Sequence, residues 1–412
     1  MMHSLFSAVS GLRTHQIRMD VLGNNIANVN TLAFKRGRAN FSEVLGRQMV
    51  GGDGGLRGTL GNGTYAASIQ QAWSQGSFEY TNIASDLALA GDGFFLADGG
   101  NGHTLLTRAG NFLFDAEGRL VTQGGLPIQG WPVQNDGSVN LGALQDVRID
   151  FDATSSPTET STATVAGNLS ADAEIGDTQT VSSVVYDNQG QAHTLVVTLE
   201  KTAEDEWTVT QAELAGYPDA EPPVPPTPLG GVGTVFQFDT DGTLIAPDPA
   251  EATFTGIYPN SNGDDVNVTF AFGGMTQFGG STTAAVTEQD GLPAGKLMGY
   301  GFDQEGRLIL NFTNGEQRAV AQLAIGTVNN PSGLEQFGDN FYGTTVGSGS
   351  LLIGRAGQEI NTTVNSGALE MSNVDLATEF TDLIVTQRGY QASARVITTS
   401  DELLQELVQL KR

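Results

Sequence analysis

The chain has 412 residues, too many for one ordinary hydrophobic core, so we expect two to four domains. Its 54 glycines and 8% aromatic residues favour a turn-rich β protein over a helical enzyme. Cysteine is absent, which excludes disulfides, thiolate metal sites and cysteine nucleophiles. The sequence has no apolar run of the roughly 18 residues that a membrane span needs. Its start lacks the features of a cleaved secretory signal. We therefore predict no membrane partner.

The net charge of -27 is unevenly distributed along the chain. Residues 152–290 contain 21 acidic residues and a single base, Lys201, whereas residues 1–50 contain six bases and two acids. So acidic a chain argues against nucleic acid as a partner. The simplest interpretation is an exposed acidic domain between weakly charged ends.

Both ends follow the alternating three- and four-residue spacing of a coiled coil. The first helix is predicted to begin at Ser4, as N-cap, and to end at Val29, a length of ~37 Å. The second is predicted to begin at Ser372 or Asn373 and to end at Leu410, a length of ~55 Å. The apolar positions that we expect to form an assembly seam are Leu5, Leu12, Met19, Leu22, Ile26, Leu376, Phe380, Leu383, Tyr390, Ile397 and Leu404.

Four positions interrupt the apolar pattern of these helices. His15, Gln387 and Asp401 occupy seam positions. They either fix register between subunits or face a partner or water in an ordinary bundle. Gly389 costs roughly 1 kcal/mol relative to alanine inside a helix. It indicates either the close approach of a neighbouring backbone or a tolerated defect.

Short strands and glycine turns predominate between the helices. An aromatic residue, Asp, two further residues and Gly recur at 114–118, 186–190, 238–242 and 302–306. In each we expect the Asp side chain to accept backbone amides of a type I turn and the Gly to take the left-handed position that closes a hairpin. Four such hairpins predict a mostly antiparallel β middle.

The predicted fold class is therefore multidomain and mainly β, with one antiparallel β domain inserted in another and α-helices at both ends that form a coiled-coil-like core. Glycine-rich residues 51–55 and 354–357 are expected to act as linkers. The expected segments are an N-terminal helix at 1–30, a linker at 31–69, a first β part at 70–151, an inserted acidic β domain at 152–286, a second β part at 287–355, a return linker at 356–371 and a C-terminal helix at 372–412.

Two groups of residues carry a resemblance to a known family. They are residues 10–12, 22–28 and 31–35 near the start, and residues 365–370, 372–375 and 387–391 near the end. In order and position they resemble the signatures of bacterial flagellar rod and hook proteins. The sequence departs from that family at Ala33, where the family usually has glycine. The residues that match the motif are Asn24, Asn25, Ala27, Asn28, Phe34, Lys35, Gly367, Leu369, Asn373, Val374, Asp375, Gln387, Arg388 and Tyr390.

Residues 184–193 and 206–209 resemble the outer domain of the hook members of this family. The resemblance implies a structural subunit of the flagellar hook. Such subunits form a helical tube of many copies, with the terminal helices along its axis, that works as a flexible universal joint and transmits motor torque. The alternative is a distal rod subunit of the basal body, which has the same ends but is much shorter.

The resemblance also implies partners and a location. The partners are further copies of the chain, the distal rod protein, the hook cap protein, the hook–filament junction protein and the flagellar type III export apparatus. The location is the hook, outside the cell, after export without cleavage. Phe6 and Val9 lie in a short stretch that resembles an export motif, although both residues also suit simple core packing.

No catalytic, cofactor-binding or metal site is predicted. The pairs Asp239/Asp241 and Asp264/Asp265 are carboxylate pairs of the kind that glycoside chemistry uses. Each lies beside a turn glycine, however, where Asp has a local structural role. The sequence has no calcium-binding loop of the EF-hand type. Its four histidines are widely spread. An enzyme and a calcium-stabilised adhesin are therefore weaker alternatives than a flagellar subunit.

Overall fold

A computed structural model describes residues 2–49, 58–100, 102–134, 136–216, 225–258 and 265–409. The two helices are α1, Met2–Ala27, and α2, Leu376–Gln409. The strands before residue 150 are β1 Gly37–Glu43, β2 Arg47–Met49, β3 Gly58–Leu60, β4 Thr64–Gln71, β5 Phe78–Tyr80, β6 Leu87–Gly91, β7 Phe94–Asp98, β8 Thr104–Thr107, β9 Leu113–Phe114, β10 Leu120–Val121, β11 Gln129–Pro132 and β12 Gln145–Asp146.

The next strands are β13 Thr154–Ser155, β14 Thr162–Ser170, β15 Thr178–Tyr186, β16 Ala192–Ala203, β17 Glu206–Leu214, β18 Thr227–Pro228, β19 Val235–Phe238, β20 Leu244–Ala246, β21 Glu251–Ile257, β22 Asp265–Phe278, β23 Ala285–Gln289 and β24 Gly295–Phe302. The last strands are β25 Arg307–Phe312, β26 Gln317–Leu323, β27 Ile325–Thr327, β28 Glu335–Gly338, β29 Phe341–Gly343, β30 Leu352–Gly354, β31 Thr362–Ser366 and β32 Ala368–Glu370. A short 3₁₀ helix occupies Pro331–Gly333. The predicted fold class, mainly β with a helix at each end, is confirmed.

The chain divides into two compact units, one interrupted by the other. Unit 1 comprises residues 1–150, 300–310 and 318–412, and unit 2 comprises residues 151–299 and 311–317. Unit 2 thus extends beyond the expected insert of 152–286 at its C-terminal end. The reason is local pairing, because β13 pairs with β24 and Asn314 donates to Ser155 Oγ at 3.2 Å and to the Pro293 carbonyl at 2.9 Å.

Unit 1 is built on a six-stranded sheet in the order β28-β29-β8-β7-β27-β30. Its core contains Phe94, Leu96, Leu106 and Tyr342. Trp73 packs edge-on against Phe94 and Tyr342, at ring-centroid distances of 5.3 and 5.0 Å. Such edge-to-face contacts add to the burial of apolar area. Of the helices that the structure describes, none combines the length and apolar character that a bilayer span requires.

The two linkers expected in unit 1 are instead paired strands. Within 31–69, β1 pairs with β4 along its whole length, and Gly37 lies close to Val21 of α1. Within 356–371, β31 pairs with β6 and β32 pairs with β5. Polar residues such as Asn40 and Ser42 obscure the alternation that would have indicated a strand. These two expectations were wrong.

The two glycine-rich segments have different outcomes. Residues 51–55 lie outside the described residues. Residues 354–357 do not form an open linker, because Arg355 is paired with Glu359 and the Gly357 amide donates to the Thr362 carbonyl at 2.8 Å. Gly354 also lies against Ile360. That segment is a packed turn.

Two sheets contribute to the hydrophobic core of unit 2 that the described residues form. The sheets have the orders β21-β22-β14-β23 and β15-β16-β17-β19-β20. The pair β14–β22 is parallel, which departs from the expected antiparallel arrangement. Trp207, Phe236, Phe254 and Phe270 are fully buried in the core. Lys201 is also buried, and its ammonium donates to the carbonyls of Ala171 and Ala173 at 2.7 and 2.9 Å.

The four predicted turns adopt the expected backbone. The glycines Gly118, Gly190, Gly242 and Gly306 have φ values of 74°, 78°, 74° and 75°. Asp115 Oδ1, for example, accepts the amides of Glu117 and Arg119 at 3.0 and 2.7 Å, and Asp187 and Asp303 accept the corresponding amides of their own turns. Asp239 differs, because its side chain accepts the amide of Thr240. The turn prediction is confirmed.

The predicted helix caps were wrong by a few residues. α1 already begins at Met2, so Ser4 lies within it. α2 begins after Asp375, whose carboxylate accepts the Ala377 amide at 3.0 Å and the Thr378 hydroxyl at 2.8 Å. The bond from Thr378, followed by that from the Ala377 amide, lowers the pKa of Asp375. A carboxylate at this end also interacts favourably with the helix dipole.

Candidate assembly surface and the junction at its base

α1 and α2 form an antiparallel pair within unit 1. The pairs of residues in contact are Gly11 with Ser393, His15 with Gly389, Arg18 with Asp382 and Asn25 with Glu379. Residue numbers rise along α1 as they fall along α2, which defines the antiparallel direction. Extending these pairs along both helices places the first turn of α1 beside α2 near Ser400. The residues of α2 after Ser400 therefore extend beyond the end of α1.

The side chains of α2 that are buried within the described part of the chain are polar. Glu379, Thr386 and Ser400 are buried at seven-residue intervals, and Ser393 is half-buried in the same row. The Thr386 hydroxyl donates to the Asp382 carbonyl at 2.7 Å. Hydroxyls satisfied within their own helix can be buried without a partner across the interface.

Gly389 gives the two helices room to approach. A β-carbon at this position would lie 2.6 Å from the His15 ring. The space beside Gly389 is therefore filled by the side chain of a neighbouring helix. One expectation was that a neighbouring backbone would fill it. Burial, followed by the nearby Arg18, lowers the pKa of His15. Gln387 and Asp401 are exposed and take no part in this contact.

The predicted seam residues fall into two groups according to burial. Leu22 is buried, and Leu5, Leu12, Met19, Ile26, Leu383 and Ile397 are half-buried. The other four, Leu376, Phe380, Tyr390 and Leu404, are exposed, by 37% to 51%. We define the outer stripe of α2 as its exposed apolar residues Leu376, Phe380, Ile384, Val385, Tyr390, Val396, Leu403 and Leu404. Exposed apolar side chains in such number are typical of an interaction surface.

A buried carboxylate ties three separate parts of unit 1 together. Glu370 is 1% exposed; its Oε1 accepts the Lys35 ammonium at 2.6 Å and its Oε2 accepts Arg108 Nη1 at 3.3 Å. The Gly76 amide also donates to Glu370 Oε1, at 2.9 Å. Burial lowers the pKa of Lys35, an effect that the neighbouring Glu370 opposes. The start of the chain, the β sheet and the end of the chain thus share one buried ion cluster.

A second cluster lies where the two helices leave the β strands. Asn25 Nδ2 donates to the Gly37 carbonyl at 2.9 Å, and its Oδ1 accepts the Gly37 amide at 2.8 Å. The same Nδ2 donates to Glu379 Oε2 at 3.0 Å. Arg36 is paired with Glu379 and with Asp382. Asn25 therefore fixes α1 to β1 and to α2 at a single point.

Several motif residues have explicit structural roles at this junction. Asn373 Oδ1 accepts the Arg36 amide at 2.8 Å, and its Nδ2 donates to the Ala72 carbonyl at 2.8 Å. Asn28 Nδ2 donates to the Asn24 carbonyl at 2.9 Å at the end of α1. Gly367 has a φ of 72°.

Other motif residues provide burial or face outwards. Phe34 and Leu369 are each 8% exposed. Ala27, Gln387, Arg388 and Tyr390 are exposed, and Val374 is half-buried. Ala33, at the departure from the family pattern, has a φ of 55°, so the left-handed turn is kept without glycine. Sequence reasoning did not single out Arg36, Arg108, Glu379 and Asp382. A charged residue inside an otherwise coiled-coil pattern, as at Glu379, was the available signal.

Four family descriptions match parts of the chain. They are "Flagella basal body rod protein" at residues 5–35, "Flagellar hook protein FlgE/F/G D1 domain" at 88–171, "Flagellar basal body protein FlaE D2 domain" at 162–292 and "Flagellar basal body rod FlgEFG protein C-terminal" at 365–410. Proteins named flagellar hook protein FlgE in Borreliella burgdorferi and Treponema pallidum are each 35% identical to it, over 100% of both chains. The chain belongs to the flagellar hook protein family.

Further relatives agree with this assignment. A flagellar hook protein FlgE of Escherichia coli is 30% identical over 98% of this chain and 99% of the relative. The crystal structure of a Helicobacter pylori flagellar hook protein matches 71% of this chain and 100% of its own, with a TM-score of 0.51 and 15% identity, which supports the fold. The full-length relatives favour a hook subunit over the distal rod alternative. The family is structural, which suggests a non-enzymatic role.

The Glu370 cluster gives a first testable prediction. Glu370→Gln leaves the buried Lys35 and Arg108 without their counter-ion, so we expect the free energy of unfolding of unit 1 to fall by about 3–5 kcal/mol. Glu359→Gln is the matched control, because Glu359 belongs to the more exposed pair with Arg355 and its loss should cost about 0–1 kcal/mol. Urea unfolding of the unassembled chain measures both. Equal losses would contradict the role given to Glu370.

The close approach at Gly389 gives a second prediction. Gly389→Ala should lower the free energy of unfolding by about 1–3 kcal/mol, because the new methyl group overlaps the His15 ring. Gly23→Ala in α1 is the control, since a β-carbon there meets nothing within 4 Å. It should stabilise the helix by about 0.5–1 kcal/mol. Thermal unfolding followed by circular dichroism at 222 nm separates the two. If both substitutions stabilise alike, the contact is unimportant.

Proposed function

We propose that the chain polymerises through its terminal helices into the tube of the flagellar hook, and that the tube works as a universal joint between motor and filament. The observation that carries this proposal is the outer stripe of α2. Its side chains are 37% to 56% exposed, and Leu376, Phe380 and Ile384 follow one another at four-residue intervals along α2. Neighbouring copies would cover that surface.

The lengths of the helices support the same proposal. α1 has 26 residues and α2 has 34, so the helices are ~39 and ~51 Å long. Their polar interface covers one face of α2 and leaves its distal end beyond α1. A head-to-tail contact between two different surfaces propagates without closing, as a filament requires.

The charge of unit 2 supports the universal-joint part of the proposal. Lys201, the single base within residues 152–290, is buried against two backbone carbonyls. It therefore does little to offset the negative surface around it. Like charges on the outer parts of neighbouring copies favour loose contacts that slide as the tube bends. Tight packing is left to the terminal helices.

The remaining parts of the proposal follow from family membership. As a hook subunit, the chain would contact the distal rod protein at one end of the tube, and the hook cap protein and the hook–filament junction protein at the other. It would leave the cell through the flagellar type III export apparatus without a cleaved signal peptide. Phe6 is 64% exposed and Val9 is half-buried, so Phe6 is accessible for a role in export.

Polymerisation is tested by substitution in the outer stripe. The purified chain should form tubes at high salt, which screens its net charge of -27. Phe380→Asp combined with Ile384→Asp should abolish the tubes while the chain remains folded. Ile245→Asp is the control, because Ile245 is similarly exposed, at 58%, but belongs to unit 2 and not to a terminal helix. Electron microscopy of negatively stained samples gives the result. Tubes that form equally well with the charged stripe would refute the proposal.

The universal joint is tested by shortening the glycine-rich segment. Deletion of residues 51–55 removes five positions, four of them glycine, from the sequence between β2 and β3. We expect hooks that are straighter and stiffer, since glycine-rich sequence has many accessible backbone states. Tube formation itself should persist. Curvature is measured on electron micrographs of isolated hooks. Unchanged curvature would show that residues 51–55 do not contribute to bending.

A further inference from the structure

A preformed apolar groove lies between α1 and the β1–β4 hairpin. It has a volume of about 530 Å³. Its lining includes Phe6, Val9, Ile17 and Tyr65, together with Arg13. Phe6, Ile17 and Tyr65 are 64%, 36% and 52% exposed. The groove is therefore open and rimmed by large apolar side chains.

Close contacts at one side hold the groove open. Gly63, with a φ of 99°, lies directly against Ser10. The Thr64 amide donates to Ser10 Oγ at 3.2 Å, and the hydroxyls of Thr14 and Thr64 are 3.3 Å apart. These contacts fix the hairpin on α1 before any partner binds. The groove is thus a rigid feature, which limits the entropy lost on binding.

The groove faces away from the α2 of its own chain. Gly11, His15 and Arg18 contact α2. At about 100° per residue, Phe6, Val9 and Arg13 project from the opposite side of α1. Since α2 is one continuous helix held along the first side, its distal end cannot reach the groove of the same chain. Any helix that fills the groove comes from another molecule.

The distal end of α2 has the properties that the groove requires. Val396 and Leu403, seven residues apart, are 44% and 47% exposed and project from one face. Glu406 flanks that face and is exposed. Arg13 is exposed at the groove and has no carboxylate partner among the described residues. The apolar face of α2 is complementary to the apolar groove, and the charge of Glu406 is complementary to that of Arg13.

We propose that the groove between α1 and the β1–β4 hairpin binds residues 396–406 of α2 from a second copy of the chain. The two surfaces differ, so every copy offers one groove and one distal helix, and the contact repeats along the polymer. This inference rests on the proposed polymerisation and specifies which surfaces meet. Arg13 and Glu406 provide the charged contact, and Tyr65 lies near Leu403.

Engineered cysteines test the contact directly, because the chain contains no other cysteine. Tubes of the double variant Tyr65→Cys/Leu403→Cys should give a ladder of disulfide-linked oligomers after oxidation. A mixture of the two single variants should give dimers alone. The control is Tyr65→Cys/Thr398→Cys, because Thr398 is exposed but projects about 140° from Leu403. We expect it to cross-link about tenfold less. Non-reducing gel electrophoresis measures all three.

The outcomes separate this inference from the proposed function. If tubes form but Leu403→Cys cross-links no better than Thr398→Cys, the inference is wrong while polymerisation stands. If the unmodified chain forms no tubes at high salt, the proposed function itself is wrong.

A charge reversal provides the second test, which needs no cysteine. Arg13→Glu should raise the concentration needed for assembly about tenfold, which corresponds to 1.4 kcal/mol. Adding Glu406→Arg to the same chain should restore assembly, whereas adding Asp401→Arg, on a different side of α2, should not. The proposal would be overturned if neither Glu406→Arg nor Asp401→Arg restored assembly, or if both did.

Discussion

A buried carboxylate has to be paired, and in unit 1 that requirement fixes the positions of three distant segments. Glu370 lies between Lys35 and Arg108 and also accepts the Gly76 amide. Removing one partner from such a cluster leaves an uncompensated charge in a low-dielectric interior. The cluster therefore forms only when the start of the chain, the β sheet and the return from the sheet are all in place. The directions in which α1 and α2 leave the sheet follow from it.

The arrangement of the helices depends on that junction. Asn25 fixes α1 to Gly37 and to Glu379, and the two helices then run antiparallel along a face of small and polar residues. The contact with α1 buries polar residues of α2 and leaves the apolar residues of the outer stripe exposed. The outer stripe is therefore available to other copies. We propose that one helix pair serves two purposes, internal stability and assembly, through different faces.

Much of the fold could be predicted from the sequence. The predictions that were wrong have physical reasons. The helices, the β middle and the Asp–Gly turns follow from local periodicity and turn chemistry. The strands within 31–69 and 356–371 could not be found in this way, since their pairing partners are distant and their residues are largely polar. The coiled-coil spacing predicted an assembly surface on α2, and this stays a prediction. It did not indicate which face meets α1, because Glu379, Thr386 and Ser400 are an unusual buried row.

The central claim is that the outer stripe of α2 is exposed in the free chain and becomes buried on assembly. Hydrogen exchange measured by mass spectrometry, on free chain and on tubes, tests it most directly. The account predicts that peptides from residues 376–404 exchange much more slowly in tubes, while peptides from the core strands of unit 2 exchange alike in both. Equal exchange of α2 in the two states would contradict it.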